Sequence, residues 1–75
     1  MEKFDLDGRK FVELSNLLKL TGMSPSGGMA KMVIAAGDVN VDGRIEKRKR
    51  CKIKAGQIVE YNAQKIIVND TSKDQ

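Results

Sequence analysis

The sequence predicts an α+β fold: two N-terminal helices packed on a small, mostly antiparallel sheet of four to five short strands. Three observations predict it. Leu14, Leu17, Leu18 and Thr21 fall at i, i+3, i+4 and i+7, and Met29, Ala30, Val33, Ile34 and Ala36 repeat the helical spacing. After Gly37 the period of apolar residues changes to two. The period-two segments are short and separated by Asp-Gly, Ala-Gly and Asn-Ala pairs, which mark turns. Seventy-five residues make one domain at most.

Lys3 to Leu6 alternates charged and apolar residues, as a half-buried strand does, and Asp7-Gly8 reads as a turn. The first helix carries Leu14, Leu17 and Leu18 and stops at Gly22, which takes a left-handed backbone without steric penalty. Ser24-Pro25 opens the second helix, with Ser as cap and Pro at the first helical position, and Gly37 ends it. Gly27-Gly28 near its start is costly, about 1 kcal/mol per Gly against Ala. The pair marks either a late helix start or a close approach to the backbone.

Val39 and Val41 form a strand, and Asp42-Gly43 is a hairpin turn leading to Ile45. Cys51 and Ile53 share one face of a further strand, which turns at Ala55-Gly56. Ile58 to Tyr61 and Lys65 to Asn69 are the last strands, joined by Asn62-Ala63. Residues 1–69 are expected to form the domain, and the polar tail, 70–75, to be disordered.

The charge is unevenly placed. In residues 44–54, RIEKRKRCKIK, seven of eleven are Arg or Lys and one is Glu, giving +6 where the whole chain carries +4. Read as one strand, this segment puts Arg48, Arg50, Lys52 and Lys54 on an outer face and Cys51 and Ile53 toward the core. Cations at every second residue stand about 6.6 Å apart and need a counter-anion. A solvated edge strand guarded by Lys accounts for some of this, but poorly for the use of Arg, the better phosphate fork. With only Phe4, Phe11 and Tyr61 as aromatics, and both Phe assigned to the core, the surface suits structured RNA read by shape and phosphate. An acidic protein or duplex DNA is the alternative partner.

Other classes are disfavoured. The chain has no His and one Cys, hence no internal disulfide, no metal-ligand spacing and no base–nucleophile pairing. It is expected to be no enzyme and to need no cofactor, metal or small-molecule substrate. The start, MEKFDLDGRK, makes no signal peptide, and Met32 to Ala36 is too short to span a bilayer. A lone thiol suits the cytoplasm.

The ordered series Ser26, Ala30, Ile34, Gly37, Val39, Val41, Gly43, Ile53, Gly56 and Ile58 resembles the RNA-binding domain of ribosomal protein S-four, the alpha-L motif. VELSNLLKLTG, residues 12–22, fits its first helix. The resemblance is closest to the short stand-alone bacterial members, the YbcJ type. Asp42 stands for the usual Asn and Gln57 for the usual Asp. Gly27 replaces the Arg that usually follows the helix-start Ser, so that role is not carried over. The resemblance implies one RNA-facing surface, most naturally for ribosomal RNA, made by the start of the second helix and the strands after it. Its candidate residues are Ser26, Lys31, Arg44, Lys47, Arg48, Lys49, Arg50, Lys52 and Lys54, with Gly27 and Gly28 admitting a phosphate to the backbone.

Overall fold

The computed structural model describes residues 2–73. In chain order it runs β1 (Glu2–Asp5), β2 (Val12–Glu13), α1 (Leu14–Leu20), α2 (Gly27–Ala35), β3 (Val39–Val41), β4 (Arg44–Ile45), β5 (Lys52–Ile53), β6 (Ile58–Tyr61) and β7 (Gln64–Asn69). The main sheet has five strands in the order β1-β7-β6-β3-β4. Three of its pairings are antiparallel, and β1 runs parallel to β7. A second, two-stranded antiparallel ladder joins β2 to β5.

The class and the mostly antiparallel sheet agree with the expectation, but the helices are not N-terminal: two strands precede them. The alternation at Lys3 to Leu6 marks the first of them, β1, whereas β2 is only two residues long and shows no period. The parallel β1 needs a long crossover to reach its partner, and the whole chain between them supplies it.

The core forms where the two helices meet the sheet. Leu14, Leu17 and Leu18 of α1 and Ala30 and Ile34 of α2 cluster with Leu6, Val12, Val39, Val41, Ile53, Val59 and Val68. Each Leu, Ile or Val so buried contributes about 1.5–3 kcal/mol.

Helix α2 starts two residues later than Ser24-Pro25 suggested. Its cap is Ser26, extended at φ −152° and ψ 162°, whose Oγ accepts the Met29 amide at 3.1 Å. Ser24 is instead buried and donates its hydroxyl to the Ser26 carbonyl at 3.0 Å, shaping the approach to the cap. Gly27 and Gly28 therefore occupy the first two helical positions, where no amide has an acceptor within the helix.

Thr71–Lys73 form a turn of 3-10 helix. The Asp5 carboxylate accepts both the amide and the hydroxyl of Thr71, and these bonds, with the Asp7 amide, lower its pKa. Residues 74–75, the end of the expected disordered segment, lie outside the described residues.

Two hairpins turn on residues with positive φ at both centres: Asp42 and Gly43 (53° and 83°), and Asn62 and Ala63 (54° and 64°). This geometry matches the twist of the flanking strands. Asp42 also braces its turn, accepting the Ile58 amide at 2.9 Å and the Gln57 side-chain amide at 3.2 Å. Ala63 is the misfit, since a left-handed backbone crowds its Cβ. Ala63→Gly is expected to raise the unfolding free energy by about 1 kcal/mol, read as a higher urea midpoint with an unchanged m-value.

Candidate nucleic-acid interface

The basic segment is not one strand. Arg44–Ile45 and Lys52–Ile53 are extended, but between them the chain turns at Lys49–Arg50, with the Cys51 amide bonded to the Arg48 carbonyl at 3.1 Å. The expected row of four cations at period two is therefore broken.

The reason lies in α1. Its cap residue, Glu13, makes no side-chain capping bond, and its first turn carries no acid. The Leu14 amide donates to the Cys51 carbonyl at 2.9 Å and the Ser15 amide to the Lys49 carbonyl at 3.0 Å. Leu14 is fully buried, so its amide without this partner would cost about 1–3 kcal/mol. In a regular strand these two carbonyls would face one edge but stand about 6.6 Å apart, and the turn at Lys49–Arg50 fits them to the adjacent amides of one helix start.

Glu46 holds the turn from the other side. Its carboxylate takes the Arg48 guanidinium in a fork, both N–H···O distances 3.0 Å, and accepts the Arg48 amide at 3.0 Å. These bonds hold the Glu46 carboxyl down to about 2. Cys51 packs half-buried beside them, with a guanidinium nitrogen of Arg48 3.7 Å from its sulfur. Burial first, and then the Glu46 carboxylate, push the Cys51 thiol up. The flanking cations do not activate it.

The turn spreads the cations over neighbouring concavities, one of about 410 Å³ lined by Arg48, Arg50, Cys51, Lys52 and Lys54, and two more. One, about 460 Å³, lies between α1, the start of α2 and the turn, and brings together Lys19, Gly27, Lys31, Lys49 and Arg50, with Glu13 and Asn16. Arg50 pairs there with Glu13 at 3.4 Å. The other, more open and about 800 Å³, is lined by Arg44, Glu46, Arg48, Lys52, Lys54 and Gln57 among others. Arg48 enters it already neutralised by Glu46. Among the described residues, Lys19, Lys31, Lys49 and Lys54 form no ion pair.

Lys47 stands apart. A Cβ on Gly37 would come within 3.3 Å of its Cε, which places it at the C-terminal end of α2, where the helix dipole favours a cation. Gly27 lies at the other end, about 13 Å away along a helix of nine residues. Ser26 serves as the cap and keeps its hydroxyl proton to donate.

Lys19 was missed. A signal existed: it lies three residues after Asn16, on the polar side of the first helical stripe. What the sequence could not supply is the α1–α2 packing that carries it to Gly27, where a Cβ would meet Lys19 Cδ at 4.0 Å. Phe11 was misassigned. Phe4 packs against the core, but Phe11 is half-buried at the surface with Lys52 Nζ 5.0 Å from its ring centroid.

Among the described residues no helix is long and apolar enough to cross a membrane, and no three His, Cys, Asp or Glu could hold a metal ion. The S4 domain family model matches residues 4–69. The YbcJ proteins of Escherichia coli (strain K12) and Shigella flexneri are each 52% identical over 68 residues, covering 91% of this chain and 97% of theirs. The solution structure of E. coli YbcJ superposes with a TM-score of 0.72 at 51% identity, over 92% of this chain and 87% of that one. That structure is described as revealing an alpha-L motif involved in RNA binding.

Because the folded state lowers the Glu46 pKa from 4.5 to about 2, its stabilisation is fully present above about pH 4.5 and is lost as pH falls through about 2. Glu46→Gln should show a small loss of Tm at pH 7, small because Arg48 is 77% exposed. Melting curves of variant and parent should converge toward pH 2.

Proposed function

The chain belongs to the S4 domain family, and on that premise we propose that it is a non-catalytic RNA-binding module of the cytoplasm whose partner is a structured RNA, ribosomal RNA in the first instance. The observation that carries this reading is the cleft of Lys19, Lys31, Lys49 and Arg50 beside the start of α2. Four cations from three separate elements converge there, and among the described residues only Arg50 has an acidic partner. A surface of this kind repels itself until a polyanion neutralises it. The relative's alpha-L motif, described as involved in RNA binding, makes RNA the first polyanion to test.

In this reading the RNA backbone runs from the cleft across the Lys49–Arg50 turn to Arg44, Lys52 and Lys54. Phosphate contacts from these side chains set position and orientation, and the shape of the folded RNA supplies selectivity. Gly27 and Gly28 keep the first amides of α2 accessible. A Cβ on Gly28 would meet nothing closer than Ser26 Oγ at 4.0 Å, so the fold itself does not demand glycine there.

Two measurements test the reading. The first is binding to a folded ribosomal RNA fragment and to a DNA duplex of equal length across a salt series. Engagement of about five phosphates gives a slope of log K on log salt near −4 to −5, and Lys19→Ala/Lys31→Ala/Lys49→Ala should flatten it to about −2. Equal, weak binding of both nucleic acids, unaffected by the substitutions, would turn the cations back into a solvated surface and favour an acidic protein as partner. The second is Gly28→Ala, which removes a poor helix former and should raise Tm slightly while weakening RNA binding several-fold. Unchanged RNA affinity would remove the α2 amides from the interface.

A further inference from the structure

We propose that Phe11 is a stacking platform for one unpaired base of the bound RNA, with Lys52 and Lys54 holding the phosphates on either side of that nucleotide. The inference rests on the RNA-binding reading and deepens it by naming the kind of nucleotide the surface takes.

The β2–β5 ladder places the ring. Val12 pairs with Ile53 and Glu13 with Lys52, so the same antiparallel register sets residue 11 opposite residue 54. Val12 and Ile53 are buried, 4% and 0% exposed. Side chains alternate along a strand, so Phe11 and Glu13 share the outer face with Lys52 and Lys54. Phe4 and Tyr61 pack against the core. Phe11 is thus the aromatic that stands among the cations.

A ring between lysines has the chemistry of a single-stranded nucleic-acid contact, in which a base stacks on the aromatic and its phosphates meet the flanking cations. Lys52 now rests over the ring, its Nζ 5.0 Å from the centroid. An ammonium on an exposed ring is a weaker partner than a stacked base. The base displaces it, and the freed lysine turns to a phosphate. A base inside a continuous helix has both faces covered, so the platform takes only a nucleotide unstacked at a bulge, loop or strand end.

The test compares a blunt RNA duplex with the same duplex carrying one bulged nucleotide, at fixed salt. Wild type should bind the bulged form about tenfold tighter. Phe11→Leu, which keeps an apolar side chain without a π-face, should lose that preference while Tm and affinity for the blunt duplex stay unchanged. The chain contains no Trp, so Phe11→Trp introduces a single reporter. It should keep the preference, and its fluorescence should be quenched by the bulged duplex and not by the blunt one. Equal wild-type affinity for the two RNAs, or a preference that survives Phe11→Leu, overturns the platform and leaves the RNA-binding reading intact. Failure of wild type to bind either RNA overturns both.

Discussion

The Leu14 and Ser15 amides have no acceptor within their own helix, and they find one in the carbonyls of Cys51 and Lys49. These two bonds are the constraint on which the proposed RNA-facing surface depends. They join residues more than thirty positions apart and fix the path of the most basic segment. Each bond contributes only about 1 kcal/mol net, but α1 is seven residues long and has no side-chain cap. A helix this short is not stable alone, and its packing and its borrowed cap make it so. The result is a cation-rich turn whose path is held by its backbone, so that its side chains are not needed to hold it.

Charge pairing then sorts those side chains. Glu46 grips Arg48, and Glu13, at the end of β2, pairs with Arg50 of the turn. Both acids sit inside the basic region and hold individual cations in place. Among the described residues of this region, lysines carry most of the charge outside these pairs. A compact ammonium on a flexible stem neutralises a phosphate as a point charge and adapts to its position, whereas Arg presents a fixed fork. In the proposed reading this arrangement takes a polyanion recognised by its backbone, with the Phe11 face as the place where a single nucleotide is distinguished.

Glycine leaves space at one end of α2. A Cβ on Gly37 would come within 3.3 Å of Lys47 Cε, so the missing side chain gives Lys47 room there. A Cβ on Gly27 or Gly28 would make only ordinary contact at 4.0 Å, so the cleft does not depend on glycine for space. Neither outcome follows from the residue alone, because each depends on which element packs overhead.

The local pattern was enough for the elements that obey one period or one turn rule. The two helices, the Gly22 and Gly37 stops, the Val39–Val41 hairpin and the pairing of Ile58–Tyr61 with the last strand all depend on residues close in sequence. The ordered series from Ser26 to Ile58 also identified the family. What failed had its cause at a distance. The basic segment alternates like a strand, yet two helix amides bend it. Ser24-Pro25 resembles a helix start, yet Ser24 is buried and Ser26 takes the cap. Phe11 is apolar by composition, yet the ladder register turns it outward. By itself the sequence determined the two helices, the longer strands with their tight turns and where the positive charge is stored, because period, turn residues and charge are local properties. Only the tertiary structure decided which cations share a cleft, which are already paired and which aromatic joins them, because hydrogen bonds and packing between distant elements set those positions.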